Sequence, residues 1–443
     1  MTPSDTRSLA DTLDLGISRM RAAGCSGTVA VSGSDGWEVL VREGKPEVVT
    51  SITGRIVQTT VYLGDGRIGG MSTGDCSESG VQQAVATAAG LAQVGDPDAW
   101  SQITPLEECG LAEDPDIDDP EWAAFTPQLG IDLVIRGERA ARACDPRVRL
   151  SESCRAHARR SSWMMASTTG MCVESHGTST GMSISAIAQQ GAERQAGERG
   201  TYARRWRELR SPEAVGREAG TRAFSKFGWK RTSTGAKRVI LDYACASDFL
   251  SVLAGSLEGD AVVQRQTWCQ DRRGSTLASP IVSVIDHPLL RRGPGSRRCD
   301  RDGVRSRPVQ VISKGRLEHF LVSGYAARRI GHPYTGHQEG ASNLRIQVGA
   351  AHLDDLVREA RNGLLVTEFN GWGVDLTSGT FSRGISGYAI EDGRLTHPVQ
   401  EATVAGNLSE LWAGIRGVGN DPDLEQAISS PSLLLDGFTV AGS

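Results

Sequence analysis

The chain carries no Cys-x-x-Cys pair, no apolar run approaching the width of a bilayer, few aromatics (5%) and no large excess of either charge. Each absence closes a class of function. A membrane-crossing helix takes about 20 consecutive apolar residues, so no membrane partner is expected. The nine cysteines stand singly between Cys25 and Cys299. That odd count, without ligand spacing, excludes a disulfide framework and a zinc knuckle, and most of these thiols read as small buried hydrophobes. Met1 to Ala10 is too polar and acidic for a secretory signal, which makes the cytoplasm the expected compartment. With a net charge of −5 the protein has no global field to attract nucleic acid or anionic lipid. No nucleophile elbow, P-loop or dinucleotide-binding fingerprint is read in it.

What is present is glycine: 53 residues in a chain of 443, a load that favours tight turns between strands. The length calls for two or three packed units. An amphipathic helix opens the chain, with Ser4 as its N-cap and Leu9, Leu13, Ile17 and Met20 on one face. From Thr28 to Ser72 short alternating runs predict an antiparallel meander, with Gly33-Ser34-Asp35-Gly36 as a hairpin turn and Gly64-Asp65-Gly66 as another. A helix follows from about Asp75 or Ser77. The stretch 113–121, acidic and broken by proline, reads as a solvated linker. Beyond it come a helix from Pro127 to Ala143, strands from Val148 to Trp206, and a helix begun by Ser211-Pro212. A new unit starts near Gly235, with a buried strand at Arg238–Asp242, a helix over Ala244–Val263, short strands after Ile281 and a helix at His352–Ala360. The predicted class is α+β: an N-terminal region 1–230, in subsegments 1–105 and 122–230, and a β-rich domain over 235–443.

Eight histidines offer the first candidates for metal or general-base chemistry. His332-Pro-Tyr-Thr-Gly-His337 is the close pair, but Pro333 and Gly336 break any helix that would present both rings together. It reads as a loop or surface pair, with a substrate-contacting turn as the alternative. The clusters Arg291–Arg298 and Arg204–Arg207 read as an exposed loop tip and a strand end, solvated faces in an acidic protein.

Read in order, a series of blocks resembles the TldD/PmbA family over nearly the whole chain. The segment Asp65-Gly-Arg-Ile-Gly-Gly-Met-Ser-Thr-Gly-Asp75 is similar to its first block. Leu277-Ala-Ser-Pro-Ile-Val-Ser-Val-Ile-Asp286, Asp302-Gly-Val304, Lys314-Gly-Arg-Leu317 and Tyr334-Thr-Gly336 resemble the middle of its C-terminal domain. Gly379-Thr-Phe-Ser-Arg-Gly384, Gly387-Tyr-Ala-Ile-Glu-Asp-Gly393, Ala405-Gly-Asn-Leu408, Gly419-Asn-Asp421 and Val440-Ala-Gly442 resemble its closing signature, in the PmbA (TldE) style. The family's catalytic half carries His-Glu-x-x-x-His ahead of Leu-Glu-Gly-Asp. Here Leu257-Glu258-Gly259-Asp260 stands, but the His, Glu and second His positions read Leu250, Ser251 and Gly255, and a third ligand position, a Cys, falls at Val418. Zinc takes nitrogen, sulfur or carboxylate donors, so the resemblance implies no catalytic residue and no metal in this chain.

The resemblance therefore implies a non-catalytic subunit. Its partner would be a TldD-like subunit holding the zinc, and the substrate of the heterodimer an extended peptide, such as a leader peptide or a peptidic natural product. Glu258, Asp260, His332, His337, Ser382 and Arg383 are the candidates for substrate or interface contact, with the glycine-rich turns from Gly371 to Gly387 around them. Two other readings stay open. One is a stand-alone peptide-binding or regulatory protein; the other is an enzyme with repurposed chemistry at Cys245, Cys269 or His337.

Overall fold

The computed structural model describes residues 8–442. The proposed cap Ser4 lies outside them. Ser8 caps α1 (Leu9–Ala22) instead, through a capping box with Asp11. The chain continues through β1 (Ser26–Arg42), β2 (Lys45–Tyr62), β3 (Ile68–Thr73), α2 (Glu78–Val94), α3 (Pro127–Cys144), β4 (Val148–Ser151), β5 (Cys154–Ser167), β6 (Cys172–Gln190), β7 (Glu193–Ala203) and α4 (Pro212–Phe224). The strands form one sheet in the order β3-β2-β1-β5-β6-β4, with β7 also on β6. Both N-terminal subsegments thus share a single sheet.

The strands are far longer than the alternating runs implied. β1 and β2 are 17 and 18 residues long and turn at Glu43-Gly44, with φ of 51° and 74°. Gly33–Gly36 is therefore no hairpin: it lies inside β1, opposite Arg55–Ile52 of β2. A glycine there serves close approach, because a Cβ on Gly36 would sit 2.3 Å from the carbonyl oxygen of Ala158 in β5. Alternation then sorts the faces. Val29, Val31, Trp37, Val39 and Val41 all point to one side, where α1 and α2 cover the first stretch and α3 and α4 the second. The pair α3–α4 packs backbone to backbone, since a Cβ on Gly216 would lie 1.9 Å from the oxygen of Gly137.

The stretch 113–121 is packed, not solvated. Ile117 and Asp119 are buried. Asp116 accepts from Arg205 (2.5 Å) and Arg292 (2.7 Å), and Trp206 donates its backbone N–H to Asp119 (3.1 Å). Arg291 is exposed, but Arg292 and Arg297 are folded inward, so the basic run is a docking loop for this acidic strap rather than a free tip.

The C-terminal half contains β8 (Gly235–Leu241), α5 (Tyr243–Ser256), α6 (Gly259–Val263), β9 (Val284–Asp286), β10 (Val309–Ser313), β11 (Arg316–Leu317), α7 (Gly324–Ile330), β12 (Leu344–Ile346) and α8 (Leu353–Ala360). It closes with β13 (Gly363–Asn370), β14 (Val374–Asp375), β15 (Thr380–Glu391), β16 (Arg394–Asn407), α9 (Leu408–Ala413), β17 (Ile415–Val418), β18 (Ile428–Ser429) and β19 (Leu433–Ala441). The pairings β8–β13, β13–β15, β15–β16, β16–β19 and β19–β8 close a ring of strands. A smaller sheet, β11-β10-β9-β12-β18, lies beside it. Helix and antiparallel sheet thus combine as α+β. The single helix expected over Ala244–Val263 breaks at Leu257-Glu258 into α5 and α6. No helix among the described residues is long and apolar enough to cross a membrane.

Candidate functional site

The site is built on α5, which leaves the ring at the end of β8. Asp242 caps it, accepting the Cys245 backbone N–H at 2.9 Å. Burial raises the Asp242 carboxyl to about 6 against the pull of those capping bonds. The inner face of α5 is apolar. Phe249 stacks on Trp412 (centroids 4.7 Å apart) and meets Phe381 edge-on (5.7 Å), with Leu250 and Leu253 fully buried beside them. The outer face carries Tyr243, Ser247, Ser251 and Gly255 at every fourth position.

The metal-ligand positions implied by the resemblance divide between these faces. Leu250 is buried in the core. Ser251 is exposed, and its hydroxyl donates to the Ser247 carbonyl one turn back, at 2.9 Å. Gly255 has no side chain, and a Cβ there would lie 3.5 Å from Leu376. Val418 is packed in the same core as Leu250. None of these groups can donate to zinc. Among the described residues no three His, Cys, Asp or Glu side chains are grouped to hold a metal ion. The residues do not fit the ion.

Leu257-Glu258-Gly259-Asp260 forms the corner between α5 and α6. Gly259 permits a close crossing, since a Cβ would meet Ala326 of α7 at 2.6 Å. Its N–H donates to Leu321 (2.7 Å). Glu258 starts α6 without capping it, and burial, with Asp260 adding to it, raises its carboxyl. The corner is a packing device.

The histidines are neither on the surface nor a pair. His332 is 6% exposed and held in one tautomer: Nδ1 donates to Pro333 (2.7 Å) and Nε2 accepts the Phe320 N–H (3.2 Å). Burial lowers its pKa to about 4. His337 is 4% exposed and meets Asp286 through Nε2 at 3.1 Å. Asp286 also accepts the Ser342 N–H (2.8 Å) and the Ser342 hydroxyl. Asp286 stands between Ser342 and His337, so the imidazole does not face the serine, and Ser342 is fully buried, out of reach of a substrate. Both rings lie in the loop between α7 and β12, as their spacing suggests, but each is turned inward: His332 bonds to Pro333 and Phe320, and His337 to Asp286 of β9.

Ser382 and Arg383 sit on β15. The Ser382 backbone pairs with Gly373 (2.6 Å). Arg383 lies 4.6 Å from the Phe369 ring and 5.9 Å from that of Trp372, and reaches Asp248 of α5 at 3.4 Å. Trp372 is 75% exposed at the end of the β13–β14 turn. The structure thus brings Arg383 to the outer side of α5 and leaves His332 and His337 elsewhere. The thiols of Cys245 and Cys269 are buried; burial raises the first well above the usual range and the second to about 12, which removes the thiolate a nucleophile requires. Two segments do meet Gly-x-Ser-x-Gly spacing, Gly70–Gly74 and Gly177–Gly181, but Ser72 and Ser179 lie within β3 and β6 rather than at a strand-to-helix elbow.

Above the outer face opens a cleft of about 490 Å³, floored by Tyr243, Ser247 and Ser251 and walled by Arg199 and Arg222 from the N-terminal region and by Asp423, Gln426, Ala427 and Ile428. Arg199 and Arg222 both donate to the Tyr243 hydroxyl, at 3.3 and 2.8 Å. Sequence reading missed Arg222 and Tyr243. For Tyr243 the available signal was its place in line with Ser247 and Ser251, four residues apart on α5; for Arg222 there was none.

Comparison with known proteins accounts for this architecture. The family model described as the PmbA/TldA metallopeptidase C-terminal domain matches residues 234–442, and that of the central domain of the same family residues 120–227. Metalloprotease PmbA of Escherichia coli O157:H7 is 30% identical over 414 residues, covering 94% of this chain and 92% of that protein. A PmbA homologue from Haemophilus influenzae is 27% identical, with 95% and 93% covered. Among solved structures, a putative modulator of DNA gyrase from Bacteroides thetaiotaomicron superposes with a TM-score of 0.91 at 24% identity, covering 98% of this chain and 99% of that one. TldE from Thermococcus kodakarensis does so with 0.84 at 20% identity, with 98% and 99% covered. The last two likenesses concern the fold alone; the domain matches and the Escherichia coli relative together establish that this chain belongs to the PmbA/TldD family.

Proposed function

We propose that the protein is the metal-free subunit of a heterodimeric peptidase whose zinc and general base belong to a TldD-like partner. The carrying observation is α5: a helix in the place of the catalytic motif buries a leucine, exposes a serine and leaves a bare backbone at the three decisive positions. A hydrocarbon and a missing side chain cannot bind zinc or lower the pKa of its water. The name metalloprotease borne by the PmbA relatives then describes the assembly. The cleft over α5 and the exposed Trp372 beside Arg383 are surfaces such a subunit would turn toward its partner and an extended peptide. The compartment is the cytoplasm, the substrate a leader peptide or peptidic natural product, and neither nucleic acid nor membrane is a partner.

Co-expression with a homologue that keeps His-Glu-x-x-x-His tests this. The two chains should co-purify at one to one, and an unstructured peptide should be cut by the pair and by neither chain alone. Hydrolysis by the isolated chain in the presence of a chelator would instead establish repurposed chemistry.

A further inference from the structure

Several polar groups over α5 are left with something to do. Arg222, on α4, donates to the Glu198 carbonyl (3.1 Å) and to the Tyr243 hydroxyl, and no carboxylate lies within ion-pair distance of it among the described residues. The Tyr243 oxygen accepts from two guanidinium groups, which occupies its lone pairs and turns its own O–H outward as a donor. That donor has no acceptor among the described residues, and Tyr243 lines the cleft.

The other charges around the cleft are already matched. Arg199 is tied to Asp423 at 3.0 Å and to Glu218 at 3.1 Å, and Asp248 to Arg383 at 3.4 Å. Ser247 and Ser251 donate to carbonyls of their own helix, at 2.6 and 2.9 Å. Asp242 and Glu218 act on Arg222 from beyond ion-pair distance, which leaves a guanidinium without a direct ion pair and one hydroxyl donor at the cleft. On the facing wall, Ile428 opens β18, which pairs with β12, and Ser430 beyond it donates its backbone N–H to the Ser247 hydroxyl of α5 at 3.0 Å, closing that side of the cleft. A guanidinium with a hydroxyl binds an acid group by charge-assisted hydrogen bonds. A dianionic phosphate fits less well, because Asp423 and Asp248 flank the same space.

We propose that this cleft captures the C-terminal carboxylate of an extended peptide, with Arg222 and Tyr243 as the groups that hold it; this rests on the reading that the protein handles peptides. It would make the subunit a reader of peptide ends, at the place where its partner carries out hydrolysis.

The test is fluorescence anisotropy on the full chain with a labelled, uncharged hexapeptide prepared as the free acid and as the C-terminal amide. The acid should bind about tenfold more tightly than the amide. Arg222→Gln and Tyr243→Phe should each abolish that preference without changing amide binding, with thermal unfolding confirming that both variants fold. Tyr243→Phe is the milder change, since it keeps the ring against which Arg199 lies. Equal affinities, failure of both peptides to bind, a preference that survives both substitutions, or competition by inorganic phosphate as strong as by acetate would each overturn the proposal. Co-purification with a catalytic homologue is scored separately: a partner without acid preference removes only this site, and acid preference without a partner removes only the heterodimer.

Discussion

The cleft over α5 and the buried centre around Asp286 are two places where polar groups converge in the C-terminal half, and they differ in what is left over. At Asp286, carboxylate, imidazole Nε2, hydroxyl and backbone N–H answer one another in a space closed to solvent, where only His337 Nδ1 among these groups lacks a partner. Over α5, a guanidinium and a phenol face an open cavity. The first centre holds strands β9 and β12 and the segment after α7 together. The second leaves donors for something outside the molecule. The closely spaced histidines, which draw attention in a sequence, are here turned into the interior.

The sharpest way to break this contrast is Asp286→Ala. It leaves His337 and Ser342 buried without their acceptor and should cost about 3–5 kcal/mol, read as a fall in the denaturation midpoint. A fully folded variant of near-normal stability would remove the structural role. Leu250→His should come next, at about 3 kcal/mol, because it places an imidazole against Phe249 and Leu253 without a hydrogen-bond partner. It should bring no zinc with it.

Acid titration separates two buried groups of the C-terminal half, His332 and Asp242, by sign. His332 titrates at 6.5 when unfolded and about 4 when folded. Between these values the unfolded chain binds more protons, so its contribution is complete above 6.5 and is lost as the pH falls toward 4. Asp242 behaves oppositely: its carboxyl moves from 3.8 to about 6 on folding, so the folded chain holds the extra proton and stability declines as the pH rises across that window. Unfolding midpoints at pH 4.5 and 7.5 for His332→Gln and Asp242→Asn should flatten the two dependences separately; a His332→Gln profile identical to the parent's would contradict the neutral-tautomer account. The smallest effect belongs to Ser251→Ala, expected within about 0.5 kcal/mol since an exposed hydroxyl bonded to its own helix is all that is removed. A large loss there would mean that the outer face of α5 carries structure after all.

Much of the fold was legible. Helical spacing and an initial proline located α3 and α4, because those signals are local. The long strands were not legible. Gly33 and Gly36 look like turn residues in isolation, and only the approach of Ala158, more than a hundred residues on, gives Gly36 its reason. The acidic strap misled in the same way: its carboxylates are matched by Arg205 and Arg292, which sequence cannot place beside it. At the site, the missing ligands were readable directly from Leu250, Ser251 and Gly255. Arg222 and Tyr243 were not, since their meeting depends on how α4 docks against α5.

The central claim is that α5 is a helix without a metal. Elemental analysis of the purified full chain, loaded with one equivalent of zinc and then desalted, tests it most directly. Less than about a tenth of an equivalent should remain on the isolated chain, while a co-purified pair should retain one per heterodimer. One equivalent held by the isolated chain would contradict the account.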